Sequence, residues 1–173
     1  MNNLPSEVKV IDEFLPRNAW SEILTWFYAD CTWVYNPVCV GTDDHPDDFQ
    51  FVHVFWHPTK GMVSNSTSII SPIMQQINPV AWIKIKANLR MRTDNVRVTT
   101  MHNDFQNLSE SMTSVYYVNH NDGGTYFENG SRVQSKENRL VTFPTNLKHA
   151  GSSSSDTKER IVINFNYIPK IVK

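Results

Sequence analysis

Thr99-Thr100-Met101-His102-Asn103-Asp104 is the stretch around which the rest of the chain arranges itself. In an extended strand successive side chains point to opposite faces, so His102 and Asp104, two residues apart, look the same way. One imidazole and one carboxylate aimed at a common point make two-thirds of a 2-His-1-carboxylate facial triad. Such a donor set fills one face of an octahedron around non-haem Fe(II) and leaves three positions open. An isolated H-x-D occurs by chance in many proteins, so its weight comes from the residues downstream. The third donor has to come from a later strand folded back beside the first. His149, in Asn146-Leu147-Lys148-His149-Ala150-Gly151 just before a Ser-rich turn and a final apolar strand, fits that role.

Working outward, the downstream half reads as short strands divided by turns. Met112 to Asn119 is β-branched and aromatic and is closed by Asp122-Gly123-Gly124. Thr125 to Glu128 and Arg132 to Gln134 flank Asn129-Gly130, a strong short hairpin signal. Arg139 to Pro144 and Arg160 to Tyr167 are further strands. Upstream, Ile83, Ile85, Ala87, Leu89 and Met91 alternate with Lys84, Lys86, Asn88, Arg90 and Arg92. Lys84 and Lys86 are expected on a solvated outer face. For Asn88, Arg90 and Arg92 the alternation is equally compatible with a solvated face and a polar interior.

The first 80 residues are mixed. Val8 to Ile11 reads as a short strand, and Pro16 precedes a helix in which Trp20, Ile23, Leu24 and Phe27 recur at core spacing. Phe49 to Trp56 reads as a strand carrying His53, with His57 just beyond it, both expected to be ordinary satisfied or solvent-facing histidines. Residues 68–77 form a short amphipathic helix stopped at Asn78-Pro79. The fold class predicted is mainly β with N-terminal helices, a double-stranded β-helix of the jelly-roll or cupin-like kind. One domain spans 1–173, with a helical cap over 1–80 and the β-helix core over 81–173.

Composition bounds the function. Apolar residues make up 40% of 173 and charged residues 19%, ordinary globular chemistry. The net charge of −1 offers no bulk attraction to a phosphate backbone, which disfavours a nucleic-acid partner. No run of 18 apolar residues occurs and residues 1–5 lack signal-peptide character, so a cytoplasmic protein with no membrane partner is expected. Cys31 and Cys39 have no metal-ligand spacing and are read as reduced thiols. The turn-rich segment 31–48, ending in Asp43-Asp44-His45-Pro46-Asp47-Asp48, is a solvated loop or a lid over a site.

The ordered set H-N-D (102–104), V-Y-Y-V-N (115–119), D-G-G-T-Y-F (122–127), L-V-T-F-P (140–144), K-H-A-G (148–151) and K-E-R-I-V-I-N-F-N-Y (158–167) resembles the Fe(II)/2-oxoglutarate-dependent oxygenases. Within them it is most similar to the prolyl-4-hydroxylase-like branch in its short, stand-alone bacterial and phage form. The resemblance implies a double-stranded β-helix in which His102, Asp104 and His149 ligate Fe(II). It also implies that Arg160 pairs with the far carboxylate of 2-oxoglutarate, with Lys158 as the rival cation. An arginine fork suits that task because it reads a carboxylate bidentately and keeps its charge. Tyr117 corresponds to a strand tyrosine whose hydroxyl reaches the same carboxylate, and Asn88 and Asn164 are further polar partners.

The activity implied is hydroxylation of a C–H bond with O2 and 2-oxoglutarate consumed, on a prolyl or other residue of a peptide or protein. Asp104, in place of a small residue that would free a site for halide, argues hydroxylation over halogenation. Alternatives are a nucleic-acid or small-molecule oxygenase with the same iron chemistry, and a non-enzymatic, cupin-like metal-binding jelly roll. Cupin sites usually cluster more histidines than the single one in the first motif here.

Overall fold

A computed structural model describes residues 3–40, 45, 48–105, 108 and 110–170. In chain order the elements are β1 (Lys9–Ile11), α1 (Arg17–Ala29), β2 (Val34–Asn36), β3 (Gln50–His57), β4 (Gly61–Met62), a 3-10 turn (Thr67–Ile70), α2 (Ser71–Ile77), β5 (Ala81–Met91), β6 (Met112–Tyr117), β7 (Gly124–Phe127), β8 (Arg132–Gln134), β9 (Arg139–Pro144), β10 (His149–Gly151) and β11 (Glu159–Ile168). Two antiparallel sheets face each other among the described residues. The larger runs β1-β9-β6-β11-β5-β3-β2, with β4 attached to β3, and the smaller runs β10-β7-β8. Isolated bridges Val98–Ser152 and His102–His149 carry the smaller sheet one segment further. This is the expected double-stranded β-helix.

The pleat sorts the large sheet into two faces. Ile85 and Ala87 of β5, Ile161, Ile163 and Phe165 of β11, and Tyr116 of β6 turn outward and pack beneath Ile23 and Phe27 of α1 and Ile73 of α2. Helix α1 forms because its apolar residues return every three or four positions, and Trp20 ties it down by donating from Nε1 to the Val118 carbonyl at 2.9 Å. A second core fills the space between the sheets, built from Val115, Tyr117, Phe127, Val133, Phe143 and Val162. Residues 1–80, expected as a helical cap, contribute strands β1 to β4 to the large sheet as well as both α-helices. The aromatic, β-branched run of β3 pairs with β5 because only a sheet position satisfies its backbone while burying Phe55.

One correction concerns β5. Its polar side chains Lys84, Lys86, Asn88 and Arg90 line the internal cavity between the sheets, so Lys84 and Lys86 are not on a solvated outer face. Period-two alternation tells which residues share a face, and here the apolar face is the one covered by helices. Other expectations map simply. The Asn129-Gly130 turn joins β7 to β8, with Gly130 at φ +79° and the Phe127 N–H donating to the Ser131 carbonyl at 3.0 Å. His53 is satisfied by the Thr32 carbonyl and Ser64 hydroxyl, and His57 by Thr59. Cys31 and Cys39 are not joined in a disulfide, and burial pushes the Cys31 thiol up to about 12. Of the segment read as loop or lid, Gly41 to Asp44, Pro46 and Asp47 lie outside the described residues. Among those described, no helix is long and apolar enough to cross a membrane.

Asn138 locks the N-terminal segment to the barrel. It occupies the left-handed region at φ 58°, which asparagine tolerates better than most residues. Its Oδ1 accepts from the Leu15 N–H at 2.9 Å and from the Tyr116 hydroxyl at 2.8 Å, and its Nδ2 donates to the Leu15 carbonyl at 2.7 Å. All of these groups are buried, so truncation orphans them. Asn138→Ala is expected to lower unfolding stability by about 1–3 kcal/mol, read from urea denaturation; an unchanged midpoint would contradict this role.

Candidate active site

His102 and His149 meet through their backbones. The His102 N–H donates to the His149 carbonyl at 2.9 Å, and the His149 N–H donates back to the His102 carbonyl at 3.0 Å. This directly opposed pair brings the two rings to a centroid separation of 4.6 Å. Asp104, two residues along, is fixed by its own N–H donating to the Thr145 carbonyl at 3.1 Å. One donor atom from each of His102, Asp104 and His149 lies within 4.8 Å of the others. Nε2 of His102 stands 3.7 Å from Asp104 Oδ1, and Nε2 of His149 stands 3.8 Å from Oδ2. Cis donors on a metal with bonds of about 2.0–2.2 Å lie about 3 Å apart, so each of the two His–Asp pairs needs to close by less than an ångström.

The surroundings choose which atoms face the centre. Nδ1 of His149 contacts the Leu147 carbonyl at 2.9 Å, and Nδ1 of His102 contacts the Thr100 carbonyl at 3.2 Å. A carbonyl can only accept, so each Nδ1 carries the proton and each Nε2 keeps its lone pair for a metal. Phe143 packs edge-on against His149 at 4.7 Å and holds the ring's plane. Asp104 Oδ2 accepts from the Thr113 hydroxyl at 2.6 Å and from Asn166 Nδ2 at 2.8 Å. Burial works to raise the Asp104 carboxyl, but His102, His149 and Thr113 together hold it below the ordinary carboxylate range. Burial also keeps His149 below its usual value, so its imidazole stays neutral. Asp104 and His149 are thus in the charge state a divalent metal requires, whereas at His102 burial is outweighed by the Asp104 carboxylate, which holds the imidazole above its usual value, so a metal there displaces a proton.

Deeper in the same cavity lies Arg160, buried to 4% exposure. Its Nε donates to Ser135 Oγ at 2.8 Å, and its terminal nitrogens to the Ser152 and Gly124 carbonyls at 3.3 Å each. The guanidinium stacks over the Tyr117 ring at 5.5 Å, and burial brings its pKa down to about 10, so it remains charged near neutrality. No carboxylate pairs with it among the described residues. Gly123 permits its approach, since a Cβ there would sit 2.8 Å from Arg160 Cδ. A buried cation satisfied only by neutral acceptors, facing a polar cavity, is a ready receptor for an incoming carboxylate.

The other residues singled out from sequence divide. Asn88 and Asn164 line the cavity. Lys158 is exposed and does not line it. Tyr117 is fully buried in the inter-sheet core, and its hydroxyl donates to Thr125 Oγ1 at 2.7 Å; Thr125 is the one that lines the cavity. Thr113 and Asn166 went unremarked in the sequence, although Asn166 shares the period-two face of Arg160 and Asn164, which was the available signal. Lys86 was also missed: burial, and Lys84 beside it, lower its pKa to about 8.

Because Asn166 anchors Asp104, Asn166→Ala is expected to weaken Fe(II) or Mn(II) binding by about 10–100-fold, measured by competition with a fluorescent chelator. Wild-type affinity in that variant would remove Asn166 from the support of the triad.

Residues 89–168 match the family model described as the 2OG-Fe(II) oxygenase superfamily. No curated protein sequence matches the chain. Among solved structures, a prolyl hydroxylase from Trichoplax adhaerens, in complex with a hypoxia inducible factor oxygen degradation domain peptide fragment, is similar at 14% identity and TM-score 0.63, covering 94% of this chain and 83% of that one. A Pseudomonas putida prolyl-4-hydroxylase is similar at 15% identity and TM-score 0.61, covering 95% and 93%. HygX from Streptomyces hygroscopicus, with nickel and 2-oxoglutarate bound, is similar at 10% identity and TM-score 0.62, covering 96% and 84%. At such identities these likenesses establish the shared double-stranded β-helix, and the family match over 89–168 adds the chemistry that the His-Asp-His cluster fits. Residues 89–168 thus carry the match to the 2OG-Fe(II) oxygenase superfamily, on a chain of prolyl-hydroxylase-like fold whose His-Asp-His cluster suits iron(II).

Proposed function

We propose that the protein hydroxylates a C–H bond in a residue of a peptide or protein, prolyl being the leading candidate. The observation that carries this reading is the pairing, in one cavity, of the His102-Asp104-His149 cluster with the buried and carboxylate-free Arg160. His102, Asp104 and His149 hold Fe(II) through Nε2, a carboxylate oxygen and Nε2. Arg160 anchors the far carboxylate of 2-oxoglutarate. Tyr117 acts through its ring, which supports the guanidinium, while the Thr125 hydroxyl faces the co-substrate. Asn88 and Asn164 offer amides along the cavity wall, and Lys158, exposed at the strand's start, leaves the anchor to Arg160.

Bound iron and 2-oxoglutarate supply the oxidising power: O2 is split, 2-oxoglutarate becomes succinate and CO2, and one oxygen atom enters the substrate C–H bond. What the chain contributes is geometry and dryness. Thr113 and Asn166 keep Asp104 from rotating, the Thr100 and Leu147 carbonyls hold the imidazoles in the ligating tautomer, and Val115 and Val162 make the wall apolar between the charged ends. Peptide as the substrate class draws support from the Trichoplax adhaerens relative, whose structure holds a peptide fragment. A small molecule is the second reading, favoured by HygX, which is similar at TM-score 0.57 in a form with hygromycin B bound.

Succinate formation and product mass test the reading. With Pro-containing peptides, a product heavier by one oxygen atom is expected, and turnover without any oxidised peptide would transfer the function to small molecules. His149→Ala and Asp104→Ala are expected to reduce succinate formation to background with the fold intact by circular dichroism. Arg160→Ala is expected to weaken 2-oxoglutarate binding about 30-fold or more, the cost of truncating a buried charge-assisted pair. Unchanged affinity would hand the anchor to another cation.

A further inference from the structure

The face of β5 that looks into the cavity runs beside the matching face of its partner β11. Arg90 stands opposite Arg160, Asn88 opposite Val162, Lys86 opposite Asn164 and Lys84 opposite Asn166. Asn166 is the residue that grips Asp104. The two lysines therefore lie at the triad end of the cavity, and Lys86 is about 13 Å along the strand from Arg90, at about 3.3 Å per residue. That spacing sets the base of Lys86 apart from the deep arginine pair and on the side of Asp104.

Charge decides what the lysines are for. A divalent metal, the Asp104 carboxylate, the two carboxylates of 2-oxoglutarate and the Arg160 guanidinium cancel one another. Arg90 is neutralised separately by Asp48, whose Oδ2 lies 3.0 Å from its terminal nitrogen, both side chains being buried. Lys84 and Lys86 are left over. Both are half-buried, both line the cavity, and neither ammonium group makes a hydrogen bond or ion pair among the described residues. Two ammonium groups on one strand face, two residues apart, repel each other and have given up part of their hydration. An anionic ligand would relieve both costs.

We infer that the substrate carries an anionic group, a carboxylate or a phosphate, which docks on Lys84 and Lys86 beside the reacting C–H bond. The inference rests on the hydroxylase reading for the position of that bond, and it narrows the substrate class: an acidic peptide segment or a small acidic metabolite. Neutral and basic substrates leave the two lysines uncompensated.

Two acid and neutral pairs test this by calorimetric titration into the anaerobic enzyme loaded with Fe(II) and 2-oxoglutarate. One pair is a blocked peptide with proline between two glutamates against the same peptide with glutamines; the other is O-phosphoserine against serine. At least one acidic member is expected to bind about tenfold or more tightly than its neutral counterpart, and the pair that shows the gap identifies the source of the anion. Lys84→Gln with Lys86→Gln should abolish the gap, and Lys84→Arg with Lys86→Arg should keep it, which separates lost charge from lost fold. No preference in either pair, or a preference that survives the glutamine variant, would overturn the inference. Failure of 2-oxoglutarate itself to bind would overturn the oxygenase reading instead, and the same pairs titrated into the metal-free protein would then decide the anion site.

Discussion

Two backbone hydrogen bonds between His102 and His149, 2.9 and 3.0 Å long, are the constraint on which the rest of this structure depends. They join segments far apart in the chain and fix two imidazoles on neighbouring strands with the same outlook. Without that bridge each histidine would be an ordinary strand residue, and Asp104 a solvated carboxylate. With it, the alternation of an extended chain brings Asp104 round to the same point, and the helices behind the large sheet do no more than support the framework on which the meeting occurs.

A gradient of polarity runs through the cavity from this bridge. At one end three donors are held ready for a cation by Thr113, Asn166 and two main-chain carbonyls. At the other, Arg160 sits among neutral acceptors and the Tyr117 ring, a positive charge with no carboxylate beside it among the described residues. Neither end is at rest on its own. Buried ions without counter-ions persist where function needs them, because apolar substitutes would be more stable. The same logic extends to Lys84 and Lys86, whose charges the iron chemistry does not use.

Much of this was legible in the chain of residues, for reasons that can be named. His102, Asp104 and His149 were readable because strand alternation is rigid and because octahedral coordination needs few residue types. Arg160 was readable through the resemblance of the surrounding motif and its place on the last strand, eleven residues after His149. Lys84 and Lys86 were misread because alternation does not say which face is wet, and a lysine is usually solvated. Asn166 and Thr113 were passed over because a lone amide or hydroxyl on a strand carries no spacing signature. Tyr117 was expected to touch the co-substrate, yet its hydroxyl turns to Thr125; hydroxyl direction depends on packing between two sheets, which no local pattern records. Within residues 1–80 β1 and β3 were visible, but β2 lay in a segment read as turns, β4 in a loop, and the pairing of β3 and β2 with the β5 sheet went unread, since pairing partners distant in sequence leave no local trace.

The most direct measurement is a crystal structure of the protein grown with Fe(II) and 2-oxoglutarate under anaerobic conditions, with anomalous scattering at the iron edge. The account predicts one anomalous peak within bonding distance of His102 Nε2, His149 Nε2 and an Asp104 oxygen, and a carboxylate paired with Arg160. A peak elsewhere, or a triad left unmetallated while iron binds other residues, would contradict it.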